Sequence, residues 1–202
     1  MRNKSENSSA QHPKAHSMAC HGGFSLDEQT RRSWYNPEAV LDGLKEGMTF
    51  VDVGCGEGFF SILAAKKVGS QGKVYAVDID PTRVAKLQNK AAVEGLTNIE
   101  ATVGRAEDAV FCRGCVDFVL YSMDLHDFDD PQKVLEKAHA MLKPSGVLVD
   151  LDWKKQPMEF GPPERIRFSE ARVAEMLMLA DFRVQSTTEA GPYHYLIVAK
   201  PK

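Results

Sequence analysis

The sequence predicts an α/β protein with a doubly wound, mostly parallel sheet, helices on both faces and a reversed last strand. Three observations predict it. Short apolar runs alternate with helical patterns five times, as expected of parallel strands joined by crossover helices. The chain then closes with two strand-like runs around Ala190-Gly191-Pro192, which pair antiparallel. The first strand–helix junction, TFVDVGCGEGFF from Thr49 to Phe60, packs a buried strand, a glycine turn and a helix start into a few residues.

The 202 residues suit one domain over 24–202 behind an N-terminal tail over 1–23. The tail is polar, without apolar period, and reads as disordered. His12, His16, Cys20 and His21 lie close together in it and would bind a metal only if ordered; no metal site is expected. The net charge of −3 carries no basic footprint of the kind nucleic acid requires. No apolar run reaches the ~18 residues of a membrane span, and no signal-peptide core is present. A cytoplasmic protein without nucleic-acid or membrane partners is expected, with a homodimer allowed for. Among the four cysteines, Cys112 and Cys115 form a lone C-x-x-C. Structural zinc needs a second ligand pair, so this reads as a plain loop entering a strand, with Cys115 partly buried.

Phe24 to Leu44 reads as one or two helices, the second starting at Asn36-Pro37 as cap and first helical residue. Trp34 and Tyr35 either pack this helix on the sheet or cover a ligand mouth, where an aromatic face attracts a cation. In the Thr49–Phe60 stretch, Gly54, Gly56 and Gly58 let a ligand touch bare backbone at the positive end of a helix. Asp52 puts a carboxylate near that turn, which suits a cationic amino group and repels a pyrophosphate. Phe59 stands where a dinucleotide fingerprint has its third glycine.

Strand 2, Lys73 to Asp78, ends in an acid placed to accept two ribose hydroxyls. Asp80-Pro81 already caps the next helix, Thr82 to Glu94, which leaves Asp78 free for that role. Strand 3 covers Ile99 to Val103. Strand 4, Val116 to Tyr121, is a continuous apolar run, as a central parallel strand should be. Beyond it come Ser122, Asp124, His126 and Asp127. A helix opens at Asp130-Pro131 and closes at Lys143-Pro144-Ser145-Gly146, before strand 5 from Val147 to Leu151. The stretch from Asp152 to Pro163 is a long loop, of the sort that is usually functional. Ser169 caps the last helix, and Phe182–Thr188 and His194–Ala199 are the closing strands. Gly54–Gly58, Asp78, Arg105–Glu107, Ser122–His126 and Asp152 all fall at carboxyl ends of strands, the ligand edge of such a sheet.

These motifs resemble the class I S-adenosylmethionine (SAM) methyltransferases, of the small prokaryotic kind grouped with ubiquinone/menaquinone-biosynthesis and arsenite enzymes. D-x-G-x-G-x-G at Asp52–Gly58 matches their first motif, and the Lys143–Gly146 turn is similar to theirs. The resemblance covers about Phe24 to Lys200. It implies a Rossmann-like sheet of seven strands and methyl transfer from SAM to a small-molecule acceptor. It also implies cofactor contacts at Asp52, Gly54, Gly56, Gly58, Asp78, Ile79, Arg105, Ala106, Glu107 and Ser122. Arg105 departs from the family's usual Asp or Asn, so Ala106 backbone or Glu107 would meet the adenine. If the acceptor carries a proton, His126 is the expected base and Asp124 the second candidate; alternatively, His126 only hydrogen-bonds its own loop. An arsenite acceptor would need several thiolates, which the cysteine positions do not supply. Two other readings stay open: an NAD(P)-dependent oxidoreductase on a related sheet, and a SAM-binding module without catalysis.

Overall fold

The computed structural model describes residues 27–202. The tail over 1–23, with His12, His16, Cys20 and His21, and the segment at Phe24 lie outside the described residues. Helix α1 (Glu28–Trp34) is capped by Asp27, whose carboxylate accepts the Thr30 amide. Helix α2 (Pro37–Val40) starts as the sequence indicates, with Asn36 as cap and Pro37 in the first turn.

Strand β1 (Thr49–Val53) leads into α3 (Phe59–Val68), β2 (Lys73–Asp78), α4 (Pro81–Val93) and β3 (Ile99–Val103). Then come β4 (Val116–Ser122), α5 (Pro131–Met141), β5 (Leu142–Trp153), α6 (Glu170–Leu179), β6 (Phe182–Ala190) and β7 (His194–Pro201). The seven strands lie in the order β3-β2-β1-β4-β5-β7-β6. Every pairing is parallel except those of β7, which runs antiparallel to β5 and to β6. The strand order reverses between β1 and β4, and the crevice outside their carboxyl ends is where such sheets bind ligands.

Strand alternation sorts the core into two layers. Val51, Val119, Tyr121 and Leu148 face Val134 and Leu135 of α5 and Val173 and Leu177 of α6. Phe50, Phe118, Leu120 and Leu151 face Trp34, Val40, Phe60 and Ala64 on the other side. Each fully buried Leu or Phe contributes about 1.5–3 kcal/mol, so both layers hold the strand tips in register.

Three details depart from the sequence reading. Strand β5 runs on to Trp153, so Asp152 and Trp153 are strand, paired with Tyr195 and His194 of β7, rather than the start of the loop. Extended backbone begins at Leu142, so the Lys143–Gly146 turn is part of β5, with a register shift between Val116 and Phe118. Gly146 lets the chain run close to β4: a Cβ there would lie 2.9 Å from the Val116 carbonyl oxygen. The C-x-x-C is more than a plain loop, because the sulfurs of Cys112 and Cys115 are in bonding contact, with Cα atoms 6.0 Å apart. That separation lies in the range a disulfide spans, and both cysteines are half-buried. No helix among the described residues is long and apolar enough to cross a membrane.

Candidate active site

The glycine loop after β1 is bound to the tip of β2 at three points. The Gly54 and Cys55 amides donate to the Val77 carbonyl at 2.8 and 3.0 Å. The Gly56 amide donates to Asp78 Oδ2 at 2.8 Å, while Asp78 Oδ1 accepts the Asp80 amide at 2.9 Å. Asp78 is therefore a clasp between two loops, with 8% of its surface exposed. Gly58 precedes the first turn of α3, where the Ser61 hydroxyl donates to buried Asp52. Burial lifts the Asp52 carboxyl to about 6; Ser61 and Arg31 act against the rise, and Asp78 adds to it. Burial also pushes the Cys55 thiol up, helped by Asp52, Asp78 and Asp124, so this cysteine offers no thiolate.

At the next strand tips, Ile79 is 65% exposed beside Asp78. Ala106 is buried at the start of a short 3-10 turn, Ala106–Asp108. Glu107 is buried, and its Oε1 accepts the amides of Asp129 and Asp130 at 3.1 and 3.4 Å. Arg105 pairs with Asp129 at 2.7 Å and Glu107 at 3.4 Å. These two side chains brace the loop between β4 and α5.

Beyond β4, Met123 takes a left-handed backbone, with φ of 64°. For a bulky residue this costs about 1–3 kcal/mol. The Met123 amide is held by the Leu151 carbonyl at 2.7 Å. The turn brings Asp124 onto Gly54, where any Cβ would collide with its carboxylate. Only glycine fits there, and its φ of 72° agrees. Both Asp124 oxygens are buried without a hydrogen-bond partner, as is Ser122 Oγ. Burial first, then Asp152, Asp52, Asp150 and Asp127, hold the Asp124 proton well above the usual carboxylate range.

His126 lies in a second 3-10 turn, Leu125–Asp127, with its Nδ1 2.9 Å from both oxygens of Asp152. Its Nε2 is 3.5 Å from Asp127 Oδ1. Burial pulls the imidazole pKa down, but Asp152 and Asp127 outweigh it and the value ends above the ordinary one. Asp152 also accepts the Trp153 amide at 2.7 Å. The loop after β5 is anchored by buried Arg167, which donates to the carbonyls of Lys154, Gln156, Phe160 and Pro162. Trp34 stacks on Phe160 of that loop and meets Trp153 edge-on, which makes packing, the first of the two roles considered for it, an observed one.

The structure thus gathers Asp52, the glycines, Asp78, Ser122, Asp124 and His126 at one rim. Sequence reasoning missed Asp150, buried at the same end of β5 with both oxygens unpartnered. Burial and Asp152 raise its pKa well above the ordinary value. An Asp inside the apolar run VLVDLDW was the available signal. Arg167 was missed as well, and nothing in its local sequence marks it. No group of three or more His, Cys, Asp or Glu side chains among the described residues could hold a metal ion.

Residues 44–183 match the model of a methyltransferase domain family. The chain belongs to that family. The chain is 31% identical over 118 residues to the demethylmenaquinone methyltransferase of Geobacillus stearothermophilus, covering 58% of this chain and 50% of that protein. It is 30% identical over 130 residues to the ubiquinone/menaquinone biosynthesis C-methyltransferase UbiE of Hydrogenovibrio crunogenus, covering 63% and 51%. The chain spans about half the length of the curated relatives it matches. Among solved structures, a SAM-dependent methyltransferase from Aquifex aeolicus is 36% identical with a TM-score of 0.81, covering 86% of this chain and 94% of that one. A putative type 11 methyltransferase from Sulfolobus solfataricus is 28% identical with a TM-score of 0.67. The seven-stranded, Rossmann-like sheet is the fold of this methyltransferase domain.

Proposed function

We propose that this domain transfers a methyl group from S-adenosylmethionine to a small-molecule acceptor in the cytoplasm. The observation that carries the reading is the clasp at Asp78, which ties an acidic group to the Gly56 amide of an open glycine loop. The residues present suit the donor. Gly56 has open space where a side chain would stand, Asp78 can accept from ribose hydroxyls, and exposed Ile79 offers an aliphatic face to a base. Ala106 backbone and Ser122 Oγ are further polar contacts at the same rim, with Arg105 and Glu107 holding their loop. Asp124 lies against Gly54 through Oδ2, and neither of its oxygens has a hydrogen-bond partner; a buried carboxyl that holds its proton for want of a cation suits a positively charged donor, which favours its ionised form.

S-adenosylmethionine, when bound, supplies a methyl already activated on a sulfonium. What remains for the chain is alignment and exclusion of water. The glycine loop and Asp78 align, Asp52 sets the start of α3, and Asp124 gives up its proton as the cationic donor binds and then serves as its counter-charge. The loop after β5, locked by Arg167, screens the rim. A protonated acceptor would lose its proton to His126 Nε2 as the new bond forms, while Asp152 keeps the Nδ1 proton and the ring orientation. The quinone-pathway names of the relatives favour an electron-rich ring as acceptor.

Incubation with methyl-labelled SAM and a panel of hydroquinones, phenols, amines and thiols tests the reading. Label is expected in one acceptor class, with a slower rate in His126→Ala. No transfer to any class, together with no binding of SAM, would remove it.

A further inference from the structure

Cys112 and Cys115 take no part in the site described above. Cys115 directly precedes β4, at the opposite end of that strand from Ser122. The two sulfurs are in bonding contact, and the Cα atoms lie 6.0 Å apart, so the fold holds the pair ready to close. Both residues are half-buried, whereas Cys55 is sealed in the core. The backbone around the pair is fixed. The Gly114 and Cys115 amides donate to the Ala140 and Met141 carbonyls at the end of α5, at 3.1 and 3.0 Å. Phe111 stacks on Tyr75 with centroids 4.7 Å apart.

A groove of about 450 Å³ runs along α5 beside this pair, a size that suits a small ligand. Val110 and Arg113, on either side of Cys112 in the chain, form the wall opposite the helix. Among the charged groups on the helix side, Asp130 is occupied as the α5 cap. Lys133 pairs with Asp108 at 3.0 Å, and Lys137 also acts on that carboxylate. With Arg113 and Glu136, the groove carries an excess of cations.

We infer that Cys112 and Cys115 form a thiol–disulfide exchange site, and that the groove beside them seats a small acidic thiol with two carboxylates and one ammonium, of the glutathione kind. Arg113 and Lys137 meet the carboxylates and Glu136 the ammonium. A neighbouring cation favours the thiolate, which is the attacking form. Arg113 adjoins Cys112, while Cys115 lies against the carbonyl end of α5, which repels negative charge. Cys112 is therefore the attacking sulfur and Cys115 the resolving one. The Cys112 thiolate attacks one sulfur of the small disulfide, forms a mixed disulfide and expels one small thiolate. The Cys115 thiolate then attacks the Cys112 sulfur, closes the internal disulfide and expels the second. Two electrons pass from the protein thiols to the small disulfide, and the two thiol protons end on the small thiols released.

Reaction of the reduced full chain with glutathione disulfide, followed by intact mass and peptide mapping, tests this. A Cys20→Ser background removes the tail thiol. The chain is expected to close the Cys112–Cys115 disulfide and keep no glutathione. Cys115→Ser is expected to hold one glutathione on Cys112, and Cys112→Ser to react roughly tenfold more slowly. The uncharged bis(2-hydroxyethyl) disulfide serves as the control for the groove. Replacing both cations, Arg113→Ala with Lys137→Ala, is expected to lower the rate ratio of glutathione disulfide to this control by roughly tenfold at low salt. Three results would each overturn the proposal: both thiols surviving excess glutathione disulfide, an adduct forming as fast on Cys115 as on Cys112, or an unchanged ratio in the double variant. Thermal melts show whether each variant is folded. Should Cys115→Ser not fold, closure in the parent chain and the rate ratio of the double variant decide.

Discussion

His126 Nδ1 lies 2.9 Å from each oxygen of Asp152, and both side chains are about 1% exposed. The Asp152 carboxylate raises the imidazole pKa of His126 by charge and by hydrogen bond. Asp127 at Nε2 adds to the pull, and Arg167 and burial oppose it. Because the folded pKa is raised, the stability it contributes is fully present below about 6.5 and is lost as pH rises through the folded value. In Asp152→Asn, burial acts on His126 without its main partner. The imidazole midpoint, read by nitrogen NMR, is expected to fall in that variant, and an unchanged midpoint would show that Asp152 does not set it.

The Asp78 carboxylate holds two backbone amides and, in the proposed complex, the donor. Asp78→Ala is expected to weaken binding of S-adenosylhomocysteine by roughly 10–100-fold, the range for lost hydrogen bonds to a charged group. Comparison of dissociation constants for the two proteins checks this. A change below twofold would place the ligand elsewhere.

His194 is buried among the rings of Trp34, Tyr35 and Trp153, and neither nitrogen has a hydrogen-bond partner. Burial first, then Arg31, Lys154 and Arg167, bring its pKa down to about 3. The unfolded chain takes up this proton near 6.5 and the folded one does not, so stability is full above 6.5 and falls as pH drops toward 3. The slope from this group approaches about 1.4 kcal/mol per pH unit in that window. His194→Phe keeps a ring and removes the titration. Its chemical denaturation midpoint is expected to depend less on pH between 6.5 and 4 than that of wild type.

Gly191, with φ of 72°, carries no side chain where the Trp34 carbonyl oxygen presses on the β6–β7 turn. Gly191→Ala is expected to loosen α1 and destabilise the fold by about 1–3 kcal/mol. The only two tryptophans, Trp34 and Trp153, have ring centroids 5.4 Å apart, so intrinsic fluorescence should report the loosening alongside the melting temperature. An unshifted melt and spectrum would contradict this docking.

Much of the architecture is legible in the sequence because its signals are local. Asn36-Pro37, Asp80-Pro81, Asp130-Pro131 and Ser169 announce helix starts within a few residues, and all four act as caps. The rim residues share one edge for a topological reason, each lying at or just beyond the carboxyl end of a parallel strand. The bonds that define their surroundings are not local. Asp152 meets His126 across β4 and β5, Asp150 has Tyr195 of β7 nearby, and Arg167 closes on carbonyls up to thirteen residues away. Short-range pattern carries no trace of such partners. The same holds for Arg105 and Glu107, whose loop-bracing contacts lie on the far side of β4 in sequence.

The proposed function requires a site at the carboxyl ends of β1, β2 and β4 that takes a sulfonium nucleoside. Calorimetric titration of the purified protein with S-adenosylmethionine and, separately, with NAD tests it most directly. Saturable one-to-one binding of S-adenosylmethionine, with no heat from NAD, is the expected result. Binding of NAD without S-adenosylmethionine, or of neither, would contradict it.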